Sequence, residues 1–61
     1  KMKVMMAERG KTFDCEAIDF IETNNQGIIE ITTLNEVRWQ VPIAMALVMQ
    51  VRDGKPFIVI G

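Results

Sequence analysis

The stretch "VPIAMALVMQVRDGKPFIVIG", residues 41–61, constrains this chain more than any other feature. It is apolar nearly throughout, and its only charged residues are Arg52, Asp53 and Lys55. Whatever it forms must be covered, and a chain of 61 residues has little else to cover it with. Ile43, Met45, Leu47, Met49 and Val51 recur at period two, with Ala44, Ala46, Val48, Gln50 and Arg52 between them. That alternation predicts a strand whose large odd-numbered residues face the interior. The rival is a helix over 42–52, with Pro42 at a first helical position and Ala, Met and Leu as good formers. A surface helix needs a polar face, however, and residues 41–49 offer none. Asp53-Gly54 between strand-like runs is a hairpin signal, and Pro56 must then sit where the ladder needs no donor. A short helical turn near 42–46, followed by a strand from Leu47, reconciles these signals.

The rest of the chain divides at "ERGK" (8–11), "NNQG" (24–27) and "LNE" (34–36). "MKVMMA" (2–7) reads as a first strand. "KTFDCEAIDFIET" (11–23) alternates from Phe13 to Ala17 and then slips phase. A one-residue slip sends every later side chain to the other face, so a β-bulge near Ala17–Asp19 is expected, bending a long strand. A helix from Cys15 to Thr23 is the alternative there. "NNQG" suits a reversal, since Asn tolerates positive φ and Gly prefers it. "IIEITTL" (28–34) is rich in β-branched residues. In "VRWQV" (37–41), Val37, Trp39 and Val41 point one way and Arg38 and Gln40 the other. Regular short segments with turns between them predict an all-β domain over 1–61, a small five-stranded SH3-like or OB-like barrel. A helix across 42–52 would make it α+β instead.

Composition bears on how so short a chain is stabilised. A domain of this size buries only about 60% of the surface its unfolded chain exposes, and small folds add disulfides, metals or partner subunits. Cys15 is the only cysteine and there is no His, so neither an intrachain disulfide nor the usual zinc set is available. With 49% hydrophobic residues, self-association is the remaining route, a dimer being the commonest form. The final "FIVIG" has no charge after Lys55. If it lies at a sheet edge, Phe57, Ile58, Val59 and Ile60 are the expected self-association surface, and "MKVMM" is another candidate edge. Five Met residues suit an adaptable contact surface.

Catalysis is not expected. There is no Ser or His, and Cys15 has no cationic neighbour to favour a thiolate. Asp14 and Glu16 lie at period two, a spacing that any solvated strand face shows. No cofactor motif, calcium loop or Gly-rich phosphate loop is present. Net charge −1 and a pI of about 5.2 disfavour general nucleic-acid binding. A local patch around Arg38, with Gln40, Arg52 and Lys55, is the candidate ligand or partner site, and Arg9 and Lys11 could join it at one rim. Trp39 shares a face with Val37 and Val41 and is expected in the core rather than as a stacking platform. One unpaired Cys fits a reducing compartment, so the cytoplasm is expected. "KMKVMMAERG" has too short an apolar run for a secretory signal, Met2 is the expected natural start, and no window is apolar enough for a membrane span.

The order of "EVRWQVPIAMALV" and then "RDGKPFIVIG" resembles the small barrels of hydrogenase-maturation chaperones. That family carries a Cys directly after its initiator Met. Here Lys3 follows Met2 and Cys15 lies well inside the chain, so the family's function is not carried over. The expectation is a non-enzymatic interaction or regulatory module that self-associates through apolar strand surface. Nucleic-acid or nucleotide binding at the patch around Arg38 is the alternative.

Overall fold

A computed structural model describes residues 1–61. The fold is all-β, with strands β1 (Lys3–Met6), β2 (Thr12–Asp14), β3 (Ile18–Thr23), β4 (Ile29–Thr33), β5 (Val37–Val41), β6 (Leu47–Arg52) and β7 (Lys55–Ile60). The only helical element is a single 3-10 turn, Cys15–Ala17. Sheet A has the order β1-β5-β4-β3 and sheet B the order β2-β7-β6. β1 runs parallel to β5, and every other pair is antiparallel. The thinnest dimension of the Cα trace is 16 Å, which suits two sheets packed face to face at about 10 Å.

The local chemistry of each turn explains the chain reversals. After β3, Asn24 accepts hydrogen bonds through its Oδ1 from the N–H groups of Gln26 and Ile28, and Gly27 takes a positive φ. After β4, the Glu36 N–H donates to the Thr33 carbonyl with Glu36 at φ 64°. Between β6 and β7, Asp53 (φ 53°) and Gly54 (φ 74°) give the left-handed pair that a two-residue hairpin needs. Arg52 pairs with Lys55 at its base. Residues 42–46 are a turn, closed by the Met45 N–H donating to the Pro42 carbonyl. The helical alternatives over 42–52 and 15–23 are therefore corrected: the first region holds a turn and then β6, the second a single 3-10 turn and then β3.

The segment 11–23 bends where its phase slip predicts, but as two strands rather than one long strand. The 3-10 turn and a register shift between Ile18 and Phe20 divide it. Its first part lies in sheet B and its second in sheet A, so it forms the corner between them. With that break, and with the 42–46 turn separating Val37–Val41 from Leu47–Arg52, the strand segments number seven rather than five. The pairings do not close a barrel. β1 and β6, the outer strands away from that corner, pair with no strand on their free sides.

One core joins the sheets. Ala7, Phe13, Ile31, Val41, Ile58 and Ile60 are buried together, with Cys15, Ile18, Ile29, Trp39, Met45 and Leu47 packed against them. No buried side-chain polar atom lacks a partner. Two expectations for the apolar C-terminal stretch are corrected here. The last strand is not an edge: β7 is paired on both sides, with β2 and β6, and Ile58 and Ile60 are core. The odd-numbered residues are not all interior. Only Met45 and Leu47 reach the core, while Ile43, Met49 and Val51 are 81%, 60% and 67% exposed. Ile43 lies in the 42–46 turn, and Met49 and Val51 lie on an outer strand with a free edge, so alternation placed the side chains without covering them.

Candidate functional site

Arg38 and Gln40 project from β5 onto the face of sheet A that also carries Glu30 and Thr32, and cross-strand register sets Gln40 directly opposite Glu30. Glu30 is only 5% exposed, and a buried carboxylate needs donors. Gln40 Nε2 donates to its Oε2 at 2.9 Å and Asn24 Nδ2 to the same oxygen at 3.3 Å. Arg38 Nε lies 3.8 Å from Oε1. The two residues expected to meet a ligand are thus directed inward along the sheet, onto a carboxylate of their own chain. On the far side of β4, Glu22 stands opposite Glu30, a like-charge pair that Arg38 offsets.

Arg52 and Lys55, the other two expected site residues, face each other across the β6–β7 hairpin in sheet B. They line a cleft of about 330 Å³ with Thr12, Asp14, Asp53 and Phe57. The Arg52 guanidinium sits 5.2 Å from the centre of the Phe57 ring. Arg38 and Gln40 are in the other sheet, so the four residues form two separate pairs. Of the expected β7 surface, Phe57 and Val59 are half-buried, and Ile58 and Ile60 face the core.

A larger concavity lies elsewhere. A cleft of about 430 Å³ is lined by Lys11, Phe13, Leu34, Val37 and Trp39 among others. Trp39 and Phe13 meet edge to face, with centroids 5.6 Å apart. The Lys11 ammonium stands 4.3 Å from the Trp39 ring centre and 5.2 Å from that of Phe13. A second cleft, of about 420 Å³, shares Lys11 and Trp39 and adds Met5, Met6, Glu8, Arg9 and Gly10. Trp39 is half-buried and packs on the core, as its alternation predicts, yet it also forms the wall between these clefts. The proximity of Lys11 to Trp39 had no sequence signal, because they are 28 residues apart and meet only through the packing of the sheets.

Both outer strands carry exposed apolar residues, Val4, Met5 and Met6 on β1 and Val48, Met49 and Val51 on β6. The Cys15 thiol approaches the Met49 sulfur at 3.7 Å, tying the corner to this strand. No three metal-ligating side chains of His, Cys, Asp or Glu converge, and no helix is long and apolar enough to cross a membrane. No protein-family model, curated protein or solved structure matches the chain.

Proposed function

We propose that this chain is a small non-enzymatic interaction module that works by self-association through apolar strand surface. The supporting observation is the distribution of its apolar residues. Six hydrophobic residues are buried, whereas ten large ones are exposed, and exposed apolar surface concentrated along strands marks contact sites. The lone Cys15 fits a reducing compartment such as the cytoplasm. Sedimentation equilibrium at micromolar concentration tests the reading. A dimer is expected, and a stably folded monomer across that range would refute it.

A second reading, nucleic-acid or nucleotide binding, keeps one supporting observation. Arg9 and Lys11 lie beside Trp39 in adjoining clefts, and cations with an aromatic face are the parts that single strands use. Arg38, its original anchor, is engaged by Glu30. A salt titration of oligonucleotide binding separates the readings, because phosphate contacts weaken steeply with salt. Absence of binding at low salt rejects it for nucleic acid.

A further inference from the structure

The geometry points to a specific seam for self-association: β6 pairs antiparallel with β6 of a second copy, with Met49 on the two-fold axis. This inference rests on the self-association reading and adds which strand and which register.

The free edges differ in how well each could accept another strand. β1 has only four residues and β2 three, and β3 carries Asp19, Glu22 and a register shift. Charges, short length and bulges are the devices that block edge pairing. β6 has six residues and no charge or proline before Arg52.

Hydrogen-bond parity then fixes which backbone groups are free. The Arg52–Lys55 pair closes a two-residue hairpin, and the Gly61 N–H donates to the Ala46 carbonyl. In an antiparallel ladder such bonded pairs alternate with unbonded ones. Residues 46, 48, 50 and 52 therefore bond to β7. The N–H and C=O groups of Leu47, Met49 and Val51 point outward, away from the sheet. Pro56 agrees with this parity, since it stands opposite Val51, where no donor is required.

A second copy of β6 fits those groups in one register. Setting Met49 opposite Met49 of the second copy matches Leu47 with Val51 in both directions, so all three outward residues find extended partners. A shift of two residues either way pushes one of them onto the 42–46 turn or onto Asp53. A shift of one residue sets outward groups against groups already bonded to β7. In the favoured register the core-side pairs are Met–Met and Leu–Val, Val48 meets Gln50, and no two charges are opposed. An edge strand that matches itself in polarity, charge and hydrogen bonding is what an isologous contact requires, which is why the occupant is a second copy.

Proline and cysteine variants test this seam. Met49→Pro removes an outward N–H without removing a bond to β7, a position where edge strands accept proline. It should weaken dimerisation by at least about tenfold in sedimentation, while Met49→Leu keeps it. In a Cys15→Ala background, Met49→Cys should form a disulfide-linked dimer on mild oxidation. Directly opposed residues lie about 5.5 Å apart, within disulfide reach. Gln50→Cys should not crosslink, because in this register its counterpart is about 7–8 Å away. A wild-type monomer would overturn self-association altogether. A dimer that survives in folded Met49→Pro, or that crosslinks through Gln50→Cys and not Met49→Cys, would overturn the seam alone. The cysteine pair decides the matter if the proline variant does not fold.

Discussion

Glu30 concentrates the polar chemistry of sheet A on one side chain. Its carboxylate takes two amide hydrogen bonds and lies near the Arg38 guanidinium while nearly all of its surface is buried. Removing it breaks those bonds and strips Arg38 of its counter-charge. Glu30→Ala should therefore destabilise the fold by about 1–3 kcal/mol, read as a lower urea midpoint. An unchanged midpoint would mean that the cluster is incidental. Glu22 makes the opposite prediction. It stands across the ladder from Glu30, and like charges in that position repel. Glu22→Gln should raise stability by about 0.5 kcal/mol, with a smaller gain in high salt. The sequence shows why this site was only half legible. Alternation in "VRWQV" correctly put Arg38 and Gln40 on one face, opposite Val37, Trp39 and Val41. It could not show that the neighbouring strand would present a carboxylate to that face, because strand pairing is a non-local choice. Lys11 was missed as a partner of Trp39 for the same reason.

The turns and strands were far more legible, since each is specified within a few residues. Asn24 with Gly27, and Asp53 with Gly54, carry their own backbone geometry, and the phase slip after Ala17 announced the irregularity near Asp19. What local pattern could not supply was strand order. "FIVIG" looks like a terminal edge, but β2 pairs along one side of it and β6 along the other, so its apolar residues fill the core. The difference has measurable consequences. Ile58 is buried at the centre of sheet B between Phe13 and Met49. Ile58→Ala should cost about 2–5 kcal/mol, enough to unfold a domain this small. Val51→Ala on the exposed end of β6 should cost the monomer under about 0.5 kcal/mol. Gly54→Ala probes the hairpin. The glycine has φ 74° with open space where a Cβ would go, so the penalty is backbone strain alone, about 1 kcal/mol. Equal urea midpoints for Ile58→Ala and Val51→Ala would contradict the central placement of β7.

A two-sheet domain with six buried apolar side chains has little core to stand on, so its stability should depend on how many copies are present. The open sides of β1 and β6 explain why: the sheet curls through the corner at the 3-10 turn but stops before its outer strands meet. Apart from the Cys15 thiol beside Met49, little within the chain covers Met49 and Val51, and on the proposed reading a second copy buries them. If the folded chain dimerises and the unfolded chain does not, binding adds stability by mass action. At a concentration about 100 times the dissociation constant the gain is about 2.7 kcal/mol. For a domain of this length each kcal/mol moves Tm by about 4–8 °C. Raising the protein concentration from about the dissociation constant to about 100 times it should therefore raise Tm by about 10 °C. The same series on folded Met49→Pro should be nearly flat at the lower value, because that variant lacks the proposed seam. Calorimetric scans over a hundredfold range of concentration make the comparison directly. A wild-type Tm that does not move with concentration would show that the small core suffices by itself, and that the exposed edge of β6 is left to solvent.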